Sequence, residues 1–287
     1  MNIDEAWRRQ FTERSLARLA QLRPIDDVFM RCMFRDDLPF AQFVLRIILD
    51  KDDLVLTGAE TQRDMKRLAG ARSVTLDVHA TDSKHRQYDI EVQRADEGAE
   101  PERARYHSAA MDIEALSAGQ PFRALPETYV IFITEHDVFR MGKGLYPVER
   151  INLGTGAPFD DREHILYVNG QYRGDDALGK LMHDFLCSDP GDMLYEEMAE
   201  RSGYYKDDPK GALEMCKIME DIYQEGREEG REEGREEGRK EGRTEGRLNS
   251  LFDTIRKLRL TTGWSDEEIV DKLSISSEDW KLFLASD

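Results

Sequence analysis

The heptapeptide Gln87-Tyr88-Asp89-Ile90-Glu91-Val92-Gln93 alternates polar and apolar residues without a break. An extended chain turns successive side chains to opposite faces, so Asp89, Glu91 and Gln93 share one face and Tyr88, Ile90 and Val92 the other. Residues 73–80 alternate in the same way, with Val74, Leu76 and Val78 against Thr75, Asp77 and His79. The polar run TDSKHR joins the two stretches, which predicts a β-hairpin with one apolar and one polar face. Pairing apolar face on apolar face brings Asp77 beside Glu91. Aspartate is depleted in strands, so several carboxylates on one sheet face call for a reason. Converging carboxylates repel unless a cation lies between them. Mg²⁺ takes octahedral oxygen ligands at roughly 2.1 Å and keeps several waters. Asp77, Glu91 and the backbone carbonyl of Val92 supply three oxygens and leave places for water and a phosphate oxygen. A metal held so can activate that water and stabilise a charged transition state. The same alternation also describes an antiparallel sheet with one solvated face, and spacing alone does not separate the two.

The elements that must position these side chains follow from the rest of the chain. A helix is expected over residues 4–22, ending before Arg23-Pro24, and two more over residues 26–48, split near residues 36–39. Residues 101–118 read as a helix with Pro101 in its first turn. The run Thr128 to Thr134 is almost wholly apolar, as in a strand covered on both faces, and residues 164–169 form another strand. Helices are expected over residues 176–187, 193–202 and 211–224. The order places the chain in the mixed α/β or α+β class.

Composition excludes several functions. With 41 Lys and Arg against 59 Asp and Glu, the net charge is −18, so the surface as a whole is not a phosphate-binding footprint. A local groove can still differ in sign. No apolar run nears the ~20 residues that span a bilayer, and the N-terminus shows no secretion signal. Cys32, Cys187 and Cys216 lie far apart, with neither zinc spacing nor a disulfide framework, and a reduced, cytoplasmic location is expected.

The stretch LDVHATDSKHRQYDIEVQRAD resembles the catalytic hairpin of PD-(D/E)XK nucleases, an acid followed at a distance by (D/E)-x-K. The wider sequence resembles the PD-(D/E)XK nuclease family transposases, a group related to the Rpn recombination-promoting nucleases. The likeness runs from about Arg23 to Gln224 through DDVFMRCMF, YDIEVQ, PERARYHSAAMD, LPETYVIFITEHDVF, HILYVNG, LGKLMHDF and MCKIME, in that order. It implies a restriction-endonuclease-like core with flanking helices and metal-dependent endonuclease activity on DNA, leaving a 5′-phosphate and a 3′-hydroxyl. By the resemblance Asp77 takes the first acidic position, Glu91 the second, and Gln93 stands where other members carry lysine. Glutamine offers a neutral amide that can orient water but not the lysine charge. That charge then has to come from a second metal, or from Arg103 or Arg105 on the following helix. Arg103 matches a family arginine, and a solvated helix face serves equally for both. Asp27 matches an acidic position of the family's first helix, where helix capping is the competing role. His79 and His107 are within reach of the cleft. The expected cofactor is Mg²⁺, with Mn²⁺ or Ca²⁺ as alternatives. The rival function is a nuclease-fold scaffold, DNA-associated or protein-binding, without catalysis.

Residues 225–247 repeat glycine at every fourth position, from Gly226 to Gly246. The segment reads as a polar spacer or a helix, and its glycine line would let two copies approach, so a homo-oligomer is one expectation. Each glycine costs a helix ~1 kcal/mol relative to alanine. Beyond it, Leu248, Leu251, Phe252, Ile255 and Leu258 form an amphipathic stripe, and Ser265 with Glu268 predicts a capping box. The expected organisation is an N-terminal helix (1–22), a nuclease-like domain (23–224), the repeat (225–247) and a small helical module resembling a helix-turn-helix (248–287). The last segment carries 8 acids and 5 bases, which favours packing or protein contact over DNA reading.

Overall fold

The structure is a computed structural model, and it describes residues 13–65, 75–94 and 98–286. The chain divides into two compact units, Met1–Met219 and Glu220–Asp287. The first holds a six-stranded sheet of order β1-β2-β3-β4-β6-β5, formed by β1 (Leu56–Asp64), β2 (Thr75–Asp82), β3 (Gln87–Gln93), β4 (Thr128–Thr134), β5 (Leu145–Val148) and β6 (Glu163–Asn169). The centre, β3-β4-β6, is parallel, and the flanking strands pair antiparallel. This is the mixed α/β architecture that the order of elements in the sequence predicts.

The alternation within β3 and β4 sends side chains into two cores. Tyr88, Ile90 and Val92 join Ile131 and Ile133 beneath α2 (Asp27–Phe34), α3 (Leu38–Leu49) and α5 (Ala177–Leu186). On the other face Val130 and Phe132 pack with Tyr167 and with Ala104 and Met111 of α4 (Pro101–Ala115). All seven residues of β4 are buried, as a strand sandwiched between helical layers requires. Local chemistry sets the helix starts. Asp37 accepts the Phe40 N–H at 2.9 Å to open α3, and Asp176 accepts the Gly179 N–H at 2.7 Å to open α5.

Several expected boundaries shift. The first helix is α1 (Glu13–Gln21), and the part of that expectation before residue 13 lies outside the described residues, as does Val74. The helix expected over 193–202 is α6 (Glu196–Asp207). Strand β1 was not foreseen, because LTGAETQRD is polar; it is an edge strand that stays largely exposed, so packing never demanded apolar residues. The polar hairpin face is also not solvated: Asp77 is 8% exposed, and Asp89 and Glu91 are 0% exposed. Nor do Leu76 and Val78 share a face. Val78 belongs to the α2–α3 core and Leu76 to the α4 core, so β2 turns over at Asp77.

The repeat lies within one helix, α7 (Pro209–Thr261). In the second unit its C-terminal part packs on α8 (Asp266–Lys272) and α9 (Ser277–Ser286) through Phe252, Ile255, Ile269 and Phe283. The Ser265–Glu268 capping box is formed in both directions. No described helix is long and apolar enough to cross a membrane.

Candidate active site

The acidic centre is built where β3 meets α4. Asp89 lies opposite Val130 and Glu91 opposite Phe132, so β3 presents two carboxylates to α4 where β4 presents apolar side chains. Helix spacing answers them, because Arg103 and His107 are four residues apart and share one face of α4. Arg103 Nη2 donates to Glu91 Oε2 at 2.7 Å, and its Nε donates to His107 Nε2 at 3.3 Å. His107 Nδ1 lies 2.9 Å from Asp89 Oδ2 and 3.5 Å from Glu91 Oε1.

Asp77 reaches this group from β2. The ladder between β2 and β3 stops at Val78–Ile90, and the Glu91 side chain fills the gap by accepting the Asp77 backbone N–H at 3.0 Å. The Asp77 carboxylate accepts the Gln62 amide at 3.2 Å and faces the Val92 N–H at 3.5 Å. Gln62 has φ of 55°, in the left-handed region that non-glycine residues rarely enter. Asp27 sits at the start of α2, bound through both oxygens to Arg31 at 2.9 and 2.8 Å.

Electrostatics mark the centre as strained. Burial and the carboxylates of Asp89 and Asp77 push Glu91 up to about 9. Burial drives Asp89 well above the usual carboxylate range. Burial, then the nearby Asp27 charge, raises Asp77, and burial lowers His107. Asp89 Oδ1 is buried and has no hydrogen-bond partner among the described residues. Neutral acids are one way to hold such a cluster, and a bound cation is the other.

Asp89, Glu91 and His107 each offer one ligand atom, all within 4.8 Å of one another, so the group can hold a metal ion. Asp77 touches Glu91 through its backbone but is not part of that trio. Gln93 is on the same face of β3, and its amide lies under residue 98, where a Cβ would meet Gln93 Oε1 at 2.1 Å, so a larger residue there would push the Gln93 amide aside. Arg103 bonds the centre, whereas Arg105 is exposed on α4. His79 is engaged by Arg63 at 3.0 Å instead. Sequence reasoning gave Asp89 no ligand role and did not single out Gln62. The i,i+4 pair Arg103–His107 was a readable signal for the first, while nothing in the sequence pointed to the second. Two surface cavities, of about 430 Å³ beside Lys206 and about 650 Å³ beside Phe43 and Arg201, are lined by none of these residues.

Sheet, covering helix and buried acids define a nuclease-like fold with a metal-capable centre. Residues 49–170 match the family model described as PD-(D/E)XK nuclease family transposase. The matched span contains Asp77, Asp89, Glu91, Gln93, Arg103 and His107, while Asp27 lies before it. No curated protein and no solved structure gives a significant match to the chain.

Proposed function

We propose that the chain is a metal-dependent endonuclease that hydrolyses phosphodiester bonds in DNA, in the setting of recombination, mobile elements or defence. The observation that supports this most is the delivery of Asp89 and Glu91, fully buried, to a helix that returns Arg103 and His107. PD-(D/E)XK nucleases use divalent ions, and the orphaned Asp89 oxygen together with the oxygen-rich donor set fits one. Glu91 and Asp77 would hold the ion with the Val92 carbonyl; Mg²⁺ is the simplest choice, with Mn²⁺ or Ca²⁺ in its place. When bound, it supplies an acidified water and charge stabilisation at the phosphate. Gln93 orients the water through its amide. Arg103 carries the positive charge that a lysine at 93 would have brought, and Asp27 shapes the field at Asp77. The products are a 5′-phosphate and a 3′-hydroxyl.

The rival reading is a nuclease fold kept as a DNA-associated or protein-binding scaffold. Both Glu91 oxygens are already engaged, by Arg103 and by the Asp77 N–H, and Gln93 replaces lysine. Nicking of supercoiled plasmid separates the two. Divalent metal should produce nicks, and Asp77→Ala and Glu91→Ala should each reduce them by at least about a hundredfold, as expected for lost metal ligands. Absence of nicking with Mg²⁺, Mn²⁺ and Ca²⁺, with DNA binding retained, establishes the scaffold.

Self-association through residues 225–247 belongs to the same proposal. A Cβ placed at Gly230, Gly234, Gly238, Gly242 or Gly246 meets nothing within 4 Å, so space for a second helix is present. Crosslinking at micromolar concentration should trap dimers, and a monomer under those conditions ends the idea. The free thiols Cys32, Cys187 and Cys216 suit a cytoplasmic location.

A further inference from the structure

The hydrogen bonds of His107 fix which of its nitrogens is available. A guanidinium has donors only, so the Arg103 Nε contact at 3.3 Å makes His107 Nε2 the acceptor, with its lone pair outward. The proton then sits on Nδ1 and is given to Asp89 Oδ2 at 2.9 Å. A carboxylate holding one imidazole nitrogen while the other is free is how proteins prepare histidine as a metal ligand. The free nitrogen does not face solvent. It and Glu91 Oε2 both converge on one guanidinium, since Arg103 reaches Oε2 at 2.7 Å. Glu91, with 0% exposure, bonds this arginine, and Asp89, also at 0%, has an Oδ1 with no hydrogen-bond partner among the described residues.

We infer that Glu91 Oε2 and His107 Nε2, with Asp89 fixing the imidazole, form a mixed oxygen–nitrogen cation site that selects a later first-row ion of the Co²⁺ or Zn²⁺ class over Mg²⁺ and Ca²⁺. Arg103 is the resident cation that the ion displaces. The inference rests on the reading above that the centre binds a divalent ion; it keeps Glu91 as a ligand, puts His107 where that reading put Asp77 and the Val92 carbonyl, and replaces Mg²⁺ by a transition metal. Imidazole is a poor ligand for the hard oxygen-seeking ions and a good one for later first-row metals. The displaced guanidinium stays tethered to α4 beside the site, where it can meet a phosphate.

Full-length protein stripped with EDTA tests this by titration with Co²⁺, followed by visible absorption, and with Mn²⁺, followed by its free-ion magnetic resonance signal. Mg²⁺ is added as competitor in both. Wild type should develop the Co²⁺ bands of a nitrogen-containing site, and Mg²⁺ should displace Co²⁺ only in at least about hundredfold excess and Mn²⁺ more readily. His107→Gln should weaken Co²⁺ binding about 10–100-fold, the usual cost of a lost ligand-shell partner, while Mg²⁺ affinity stays near wild type. Arg103→Met should bind Co²⁺ more tightly than wild type. If His107→Gln fails to fold, Arg103→Met decides alone, and unchanged or weaker Co²⁺ binding overturns the inference. Equal affinity for Mg²⁺ and Co²⁺, or wild-type Co²⁺ binding by His107→Gln, also overturns it and leaves the nuclease reading standing. Failure to bind any of the three ions removes both.

Discussion

The two ends of the β2–β3 hairpin each bury an acid and treat it in opposite ways. At the turn, Asp82 is 1% exposed and fully answered: it accepts the backbone N–H groups of Lys84 and Arg86 at 2.9 and 2.8 Å, the Arg86 Nε at 2.7 Å and the Tyr88 hydroxyl at 3.0 Å. Burial alone would raise its carboxyl, but these donors outweigh burial and hold it below the usual range. At the open end, Asp89 and Glu91 are as deeply buried, share His107 while only Glu91 bonds Arg103, and are pushed up. One acid is there to hold the turn. The other two are held in a state that only protons or a cation can relieve, which folding by itself does not reward.

Substitution should expose this difference in sign. Asp82→Ala leaves Arg86 and Tyr88 without their partner in a buried turn and should cost about 3–5 kcal/mol, read by urea denaturation. Asp89→Asn keeps an oxygen for the His107 Nδ1–H and removes the orphaned charge. In EDTA at alkaline pH it should stabilise the protein by about 1 kcal/mol. Equal losses in both variants would show that the two ends do not differ.

The same contrast predicts opposite responses to pH. A carboxyl raised in the folded state binds more protons there than in the unfolded chain. Stability of the metal-free protein therefore falls as pH rises from the ordinary carboxylate range toward about 9, the value for Glu91. Each titrating group contributes a slope of at most about 1.4 kcal/mol per pH unit. Asp82, held low, contributes stability that is present above the ordinary carboxylate range and is lost on acidification through its folded pKa. Denaturation in EDTA between pH 5 and 9 should show a decline that Glu91→Gln flattens and that bound divalent ion reverses. A flat wild-type profile would contradict the raised acids.

Much of this centre is legible in the sequence, and the reasons are specific. The period of two put Asp89, Glu91 and Gln93 on one face, and pairing to Asp77 followed from the short TDSKHR connection. Burial of that face was not legible, because PERARYHSAAMDIEA shows little apolar periodicity. Its inner face is Ala104, His107, Ser108 and Met111, which suits a lid over carboxylates rather than over a greasy sheet. The reversal of β2 at Asp77 was equally hidden, since Leu76 is apolar on either face and only the choice of core distinguishes them. Gln62 could not be found at all, because its role depends on a left-handed backbone and on β1, a strand with no hydrophobic signature.

Gln62 offers the next smaller test. It is exposed and, among the described residues, donates to Asp77, so Gln62→Ala should change stability by less than about 0.5 kcal/mol. If the Asp77 carboxylate takes part in nicking, loss of the amide that orients it should slow the reaction about tenfold at saturating metal. Unchanged nicking would mean that the backbone of Val92 suffices to place Asp77.

The smallest effect is expected two residues from one of the largest. Arg103 spans Glu91 and His107, whereas Arg105, on the same helix, is turned to solvent by the 100° step of an α-helix. Arg105→Ala should leave stability within about 0.5 kcal/mol and nicking within about twofold of wild type. Arg103→Ala should remove most nicking, because it takes away the charge nearest the buried acids. Comparable losses from both would mean that α4 meets phosphate along its exposed face. The guanidinium over Glu91 would then be serving the fold rather than the reaction.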